Sequence, residues 1–146
     1  MKNKLPKFSN PLFNDSVVLV TGAGGTIGSN LVTRLQAKTI IAVDISEYAI
    51  YKLQRQLKQS NVHCVVGDIS DARLVAMLFN KYQIDYVFNA AAYKHVDTLE
   101  DENNTYSVVK NNILSITNLC DYADNIKCLV HISSDKAVNP TNSMGY

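Results

Sequence analysis

Four glycines fall within seven positions, and their type and spacing point more directly to chemistry than any other part of the sequence. They follow the apolar run 17–21 and precede a helical pattern. Glycines at such a junction permit a tight turn, let a pyrophosphate approach the backbone, and place it at the start of a helix. An ordinary turn is the alternative. The spacing is GxxGxxG, and the residues it predicts to contact the phosphates are Gly22, Gly25, Thr26, Ile27 and Gly28.

Asp44 ends the second apolar run, about 20 residues beyond the first glycine of the loop. A carboxylate at this position can accept hydrogen bonds from the ribose hydroxyls of adenosine, and it repels a 2′-phosphate. The alternative is that Asp44 only caps the next turn. Together with the adjacent Ile45 and Ser46, it predicts a bound dinucleotide and favours NAD, although NADP remains open.

The carboxylate of Asp68 follows the third apolar run, and three alanines, 90–92, lie at the end of the fourth. Asp68 is placed to hydrogen-bond the edge of an adenine while Ile69 packs on the face of the ring. A turn or a helix cap is the alternative for Asp68. The side chains of Ala90, Ala91 and Ala92 leave space for a cofactor to cross the sheet, although simple close packing would also select small residues.

Five apolar runs alternate with four helical patterns along the chain. The runs, which we predict to be strands, are 17–21, 39–44, 62–67, 85–90 and 126–133. The apolar helical positions are Ile27, Leu31 and Leu35; Ile50, Leu53 and Leu57 after a Ser46 cap; Val75, Leu78 and Tyr82 after Asp71; and Val109, Ile113, Ile116, Cys120 and Ala123 within 104–124. Strands that are apolar without alternation are typical of a parallel sheet covered on both faces. The pattern predicts a doubly wound, Rossmann-type α/β fold over 16–146, truncated after its fifth strand and preceded by a polar arm, 1–15.

Composition and charge limit the possible function classes. The chain has 146 residues, a formal net charge of +1, 47% hydrophobic and 18% charged residues, so we expect one folded domain and no nucleic-acid partner. The longest apolar runs are far shorter than the about 20 residues of a membrane helix, and no signal peptide is visible. Three cysteines without a CxxC pair predict buried free thiols in a reducing compartment, the cytoplasm, and no metal site.

The segments 90–96, 110–113 and 132–142, taken with the glycine loop, resemble the extended short-chain dehydrogenase/reductase superfamily. Within it they look like the CapD-like UDP-N-acetylglucosamine 4,6-dehydratases of polysaccharide biosynthesis. The similarity runs from about Val17 to the last residue. The other sugar-nucleotide dehydratases that this stretch resembles carry Glu where Lys136 stands. We therefore expect an NAD(P)-dependent lyase that acts on a UDP-sugar and is a homo-oligomer when complete.

The resemblance implies an internal redox cycle in which hydride leaves carbon 4 of the sugar, water is lost across carbons 5 and 6, and hydride returns to carbon 6. Lys136 would take the carbon 5 proton, Asp135 would protonate the leaving hydroxyl, and Ser134 would hydrogen-bond the carbon 4 hydroxyl. Lys136 must be neutral for this, which requires a lowered pKa. Lys94 would contact cofactor or substrate. The alternatives are a surface ion pair for Asp135 and Lys136, a turn hydroxyl for Ser134 and a solvated loop lysine for Lys94.

The sequence departs from the superfamily pattern near its end. Short-chain dehydrogenases carry a tyrosine that serves the hydride step, and here Met144 takes that position, as it does in larger membrane-associated members that the chain resembles. The lysine expected at position 148 and the substrate-binding region lie beyond Tyr146, so we expect a fragment that is inactive alone. A non-catalytic NAD-binding module, or another nucleotide-sugar dehydratase or epimerase, is the alternative. Asn112 is expected to bond backbone near the site, or to be a surface amide.

Overall fold

The structure is a computed structural model that describes residues 11–93 and 102–133. Its sheet contains five parallel strands in the order β3-β2-β1-β4-β5. The strands are β1 (Val17–Thr21), β2 (Thr39–Asp44), β3 (Val62–Val66), β4 (Tyr86–Asn89) and β5 (Cys128–His131). All five lie within the predicted runs, and the Rossmann-type order is confirmed. Ser134, Asp135, Lys136, Met144 and Lys94 lie outside the described residues.

Helices connect the strands as the sequence predicts. They are α1 (Thr26–Arg34), α2 (Glu47–Gln56), α3 (Ala72–Lys81), α4 (Thr105–Val109) and α5 (Ser115–Cys120), with a π-helical segment, Lys110–Leu114, joining the last two. The hydroxyl of Ser46 accepts from the Ala49 N–H at 3.2 Å, and the carboxylate of Asp71 accepts from the Arg73 N–H at 2.9 Å. The predicted Ser46 cap is therefore confirmed, and Asp71, predicted to begin the next helix, is its N-cap, because each satisfies an N–H that a helix start leaves free.

Two apolar layers lie on opposite faces of the sheet. Successive residues of a strand point to opposite faces, so Val18 and Val20 enter one layer while Leu19 enters the other. The first layer is closed by α1 and α2, and the second by α3 and α5. The buried residues that the helices and their ends contribute are Val32, Leu35 and Leu53 in the first layer, and Val75, Leu78 and Leu119 in the second. Helices on both faces confirm the doubly wound arrangement.

The expectation that every strand is buried on both faces is wrong for β3 and β5. These are the edge strands of the described sheet, and Val66 and Val130 are 51% and 38% exposed. The expectation of buried thiols fails for the same reason at Cys128, which is exposed on β5, and it also fails at Cys120. Cys64 is partly buried, and this burial raises the pKa of its thiol.

The helical stretch 105–120 turns a different face inward from the one predicted. Its buried positions are Val108, Ser115 and Leu119, whereas Val109 and Ile113 are 44% and 48% exposed. Polar contacts with the ends of the strands, described below, fix the rotation of this stretch, so apolar periodicity alone selected the wrong face. Ile27, which the sequence places on the apolar stripe of α1 and among the cofactor-binding residues, is 51% exposed in the first turn of α1, beside the glycine loop.

The end of the predicted arm packs against the sheet. Residues Pro11–Phe13 form a 3₁₀ turn. The ring of Phe13 makes edge contacts with Tyr86 and Phe88, with centroid distances of 5.0 and 5.9 Å. These contacts add aromatic surface to the first apolar layer.

Asp85 joins the starts of three neighbouring strands. It directly precedes β4, its Oδ2 accepts from the Val17 N–H of β1 at 2.9 Å, and its Oδ1 pairs with the Lys127 ammonium, next to β5, at 2.8 Å. The Lys127 ammonium and the Val17 N–H together hold the pKa of Asp85 below its usual value. The ionised carboxylate therefore stabilises the folded chain.

We expect Asp85→Asn to reduce the acid sensitivity of the fold. The contribution of ionised Asp85 is complete above the ordinary Asp pKa of about 3.9, and it is lost as the pH falls through the lower pKa of the folded state. The free energy of unfolding, measured by urea titration at each pH below about 5, should therefore fall more steeply for the wild type than for the variant. Asp124→Asn, at an exposed carboxylate, is the control. Equal slopes for the wild type and Asp85→Asn would contradict the assignment.

Candidate functional site

Three of the four glycines after β1 are required by the fold itself, and one of them is Gly24, where a Cβ would overlap the Ala49 Cβ. Gly22 has a φ of +61°, a left-handed conformation that residues with side chains rarely adopt, and a Cβ there would lie 2.5 Å from the Ala90 carbonyl oxygen. A Cβ on Gly28 would overlap the Gly22 carbonyl group. Because Gly22 and Gly28 have no side chains, the loop can turn tightly from β1 into α1 while passing close to Ala90.

Gly25 is less crowded than the other glycines of the loop. Its φ of −71° suits any residue, and among the described residues a Cβ there would closely approach one atom, the Gly22 carbonyl oxygen at 3.2 Å. Gly25 is the N-cap of α1 and is exposed, as are Thr26 and Ile27 in the first turn. The first N–H groups of an α-helix have no partner within the helix and carry a partial positive charge. An anionic diphosphate fits this cradle.

Asp44 holds the glycine loop at the end of β2. Its Oδ2 accepts from the Gly24 N–H and its Oδ1 from the Ser46 N–H, both at 2.9 Å. Asp44 therefore does cap the turn after β2, which was the alternative to a role in ligand binding. It also bonds the glycine loop. Because two carboxylate oxygens offer about four acceptor positions, Asp44 retains capacity for ligand hydroxyls. Ile45 is 51% exposed beside it.

Asp68 follows β3 and combines a turn role with a position on the cleft. Its Oδ1 accepts from the N–H and the hydroxyl of Ser70, at 2.8 and 2.6 Å, and its Oδ2 pairs with the Lys110 ammonium at 3.2 Å. Burial raises the pKa of Asp68, but the bonds from Ser70 and Lys110 outweigh burial and hold that pKa below its usual value. Asp68 in turn raises the pKa of Lys110. The N-cap of α3 is Asp71, so Asp68 is not the helix cap.

A buried amide anchors the end of β4. Asn89 is fully buried, and its Oδ1 accepts from the Thr21 hydroxyl and, at 3.3 Å, from the Ala91 N–H. Its Nδ2 faces Nδ1 of His131 at 3.1 Å. Asn89 therefore links the ends of β1, β4 and β5 and fixes the start of the three-alanine segment.

The stretch 105–120 lies over the ends of β3 and β4 and is held there by polar side chains. The Asn112 amide bonds the Tyr93 backbone twice, accepting from its N–H at 2.8 Å and donating to its carbonyl at 3.2 Å. The Asn118 amide donates to the Ile69 carbonyl at 3.0 Å, and Lys110 pairs with Asp68. The expectation that Asn112 bonds backbone near the site is confirmed.

Lys110, Asn118 and two cleft residues, Asn111 and Ser115, were not assigned roles from the sequence. A usable signal existed, because 111, 115 and 118 recur at four and three residues and form a polar helical stripe. The apolar positions beside this stripe, such as Val109 and Ile113, predict a different inward face. The π-helical segment is a second sign, since such segments often occur at functional sites.

These elements enclose a cleft of about 190 Å³ at the carboxyl ends of the strands. Of the predicted cofactor residues, the structure brings to its wall Gly22, Gly25, Asp44, Ile45, Asp68, Ile69, Ala90, Ala91 and Ala92. The other described lining residues are Val43, Gly67 and Tyr93, and Asn111 and Ser115 from the helical stretch 105–120. Thr26, Ile27, Gly28 and Ser46 lie beside it, on the loop and the helix starts. The position matches the place where open parallel sheets bind ligands.

The parallel sheet, the glycine loop after β1 and the cleft at the strand ends define a Rossmann-type domain of the short-chain dehydrogenase/reductase kind. More particularly, the chain belongs to a family described as polysaccharide biosynthesis protein, whose model matches residues 18–146. The resemblance inferred from the segments 90–96, 110–113 and 132–142 is thereby confirmed.

Curated relatives agree with this family. The chain is 37% identical over 138 residues to the uncharacterized membrane protein MJ1061 of Methanocaldococcus jannaschii, with 91% of this chain and 40% of that protein covered. It is 40% identical over 138 residues to the probable polysaccharide biosynthesis protein EpsC of Bacillus subtilis, covering 88% and 23%. It is 27% identical over 140 residues to an inverting UDP-N-acetylglucosamine 4,6-dehydratase of Campylobacter jejuni, covering 92% and 41%. The chain thus spans well under half the length of these relatives.

Solved structures confirm the fold. Pen from Bacillus thuringiensis is 33% identical, with a TM-score of 0.81 over 91% of this chain and 41% of that one. The dTDP-glucose 4,6-dehydratase DesIV from Streptomyces venezuelae, solved with NAD bound, is 27% identical, with a TM-score of 0.70 over 83% of this chain and 40% of that one. Among helices of the described residues, none is both long and apolar enough to cross a membrane.

Proposed function

We propose that this chain is the NAD-binding part of a nucleotide-sugar 4,6-dehydratase that acts on UDP-N-acetylglucosamine in polysaccharide biosynthesis. The observation that carries the proposal is the exposed Gly25 at the start of α1, which shares the wall of one cleft with Asp44. The family of the chain and the dehydratase from Campylobacter jejuni support the choice of reaction and substrate. The NAD in DesIV supports the choice of cofactor.

The described residues divide the work of holding the dinucleotide. The backbone at Gly22, Gly25 and the first turn of α1 binds the diphosphate, and its N–H groups supply the positive potential. Asp44 accepts hydrogen bonds from the adenosine ribose, and its charge disfavours a 2′-phosphate. Asp68 and Ile69 receive the adenine. The chemistry that bound NAD supplies is reversible acceptance of a hydride.

The catalytic roles rest on the resemblance and on the sequence of the segment that follows β5. Lys136 acts as the base at carbon 5, Asp135 as the acid at the leaving hydroxyl, and Ser134 hydrogen-bonds the carbon 4 hydroxyl. Lys94 contacts cofactor or substrate. A neutral lysine next to a carboxylic acid requires opposite pKa tuning of the two groups. The expected UDP-sugar partner, homo-oligomer and cytoplasmic location belong to the same proposal.

The reaction is tested by product formation in the protein at its natural length. Incubation with NAD and UDP-N-acetylglucosamine is expected to give a 4-keto-6-deoxy sugar nucleotide without net reduction of NAD, because the hydride returns to the product. Binding of NAD without any product would favour the alternative, a non-catalytic NAD-binding module, which Met144 at the usual tyrosine position favours. A 4-epimer as the product would favour an epimerase.

We expect Asp44→Asn to weaken NAD binding about 10- to 100-fold, measured by isothermal titration calorimetry. The physical reason is the loss of hydrogen bonds to a charged acceptor, worth about 1.5–3 kcal/mol. The preference for NAD over NADP should become smaller, because the substitution removes the carboxylate charge that repels the 2′-phosphate of NADP. Glu47→Gln, which neutralises an exposed carboxylate three residues away, is the matched control and should leave both affinities unchanged. Unchanged NAD affinity in Asp44→Asn would remove the argument for NAD.

A further inference from the structure

Ser115 carries a hydroxyl whose position the fold alone does not explain. The residue is 2% exposed, and its Oγ has no hydrogen-bond partner among the described residues. A buried polar group without a partner destabilises a folded chain, so almost all such groups have one. Ser115 also lines the cleft at the strand ends. A ligand in that cleft could supply the missing partner.

The surroundings of Ser115 restrict which part of a ligand it would meet. On the same helical stretch, Lys110 pairs with Asp68 at 3.2 Å, and the Asn118 amide donates to the Ile69 carbonyl at 3.0 Å. Ser115 lies between these two anchors in sequence and shares the wall of the cleft with Asp68 and Ile69. Ser115 is therefore part of the same cleft wall as the residues that follow β3.

We propose that the Ser115 hydroxyl hydrogen-bonds the purine base of the bound dinucleotide and contributes to the recognition of adenine. This inference rests on the proposed function, because it requires a dinucleotide in the cleft. An adenine carries an amine donor next to ring nitrogens that accept. The ionised carboxylate of Asp68 can only accept, so it suits the amine, whereas a hydroxyl can donate to a ring nitrogen. Ile69 supplies an apolar surface for the ring.

The test compares ADP and inorganic pyrophosphate as calorimetric probes of Ser115→Ala. The variant should bind ADP about 3- to 10-fold more weakly than the wild type, which corresponds to one hydrogen bond, and should bind pyrophosphate equally well. Without ligand, its free energy of unfolding should be unchanged or higher, because the substitution removes an unpartnered polar group. Ser107→Ala, at an exposed serine of the same stretch, is the matched control and should change none of these values.

The outcomes separate the inference from the proposed function. Wild-type protein that binds neither ADP nor NAD would overturn the proposed function, and this inference with it. ADP binding that is equal in the wild type and Ser115→Ala would overturn the inference alone. An equal loss of ADP and pyrophosphate affinity would also overturn it, because the hydroxyl would then support the glycine loop instead of contacting the base.

Discussion

Gly22→Ala should lower the free energy of unfolding by about 2–5 kcal/mol. Forcing a residue with a Cβ into the left-handed region costs about 1–2 kcal/mol, and overpacking costs about 1–3 kcal/mol more. Both costs apply, since the φ of Gly22 is +61° and the added Cβ would lie 2.5 Å from the Ala90 carbonyl oxygen. Urea unfolding with an unchanged m-value would measure the loss as a shift of the midpoint.

Gly25→Ala is the matched comparison, because Gly25 has an ordinary φ and its added methyl group would closely approach one atom of the described residues, the Gly22 carbonyl oxygen at 3.2 Å. Its free energy of unfolding should stay within about 1 kcal/mol of the wild type, while NAD binding weakens because the methyl group fills the cradle. Equal destabilisation by Gly22→Ala and Gly25→Ala would contradict the distinction between a glycine that the fold requires and one that the ligand requires.

Lys136→Ala is expected to lower solvent-deuterium exchange at carbon 5 of UDP-N-acetylglucosamine about 10²- to 10⁴-fold in the protein at its natural length. Proton transfer by a positioned side chain typically contributes a factor of this size. The affinity for NAD should remain nearly unchanged, because the diphosphate and the adenosine are held by other residues in the proposal. Mass spectrometry of the product formed in D₂O measures the exchange.

Lys58→Ala, which removes an exposed lysine after α2, controls for the loss of a positive charge. It should leave both exchange and NAD affinity at wild-type values. Exchange that persists in Lys136→Ala would assign the carbon 5 proton to another base. A loss of NAD affinity equal to the loss of exchange would instead place Lys136 in cofactor binding.

The fold followed from local features of the sequence. Apolar runs of five to eight residues separated by helical patterns predicted five parallel strands, and all five are present. Ser46 acts as the predicted N-cap and Asp71 begins α3 as predicted, because a helix start depends only on residues within one turn. The glycine spacing likewise predicted a tight loop between β1 and α1. In each case the interacting groups are close neighbours along the chain.

The partners of polar groups from distant segments were not predictable in the same way. The pairing of Lys110 with Asp68 and that of Asn89 with His131 each join residues 42 positions apart, and Thr21 reaches Asn89 across 68. These bonds exist because parallel strands bring their carboxyl ends to one edge of the sheet. The bonds of Lys110 to Asp68, of Asn112 to Tyr93 and of Asn118 to Ile69 hold the stretch 105–120 in the rotation that buries Ser115 and exposes Ile113.

The sequence by itself determined the order of the strands and helices, the glycine loop and the acidic residues at the strand ends, because periodicity, capping and glycine spacing are properties of neighbouring residues. Only the tertiary structure decided that Asp44 also holds the Gly24 N–H and that Gly25 lines the cleft. It also decided that the Ser115 hydroxyl is buried on that cleft wall without a partner among the described residues. Those facts depend on distances between segments that are remote along the chain, and such distances are set by how the helices pack on the sheet.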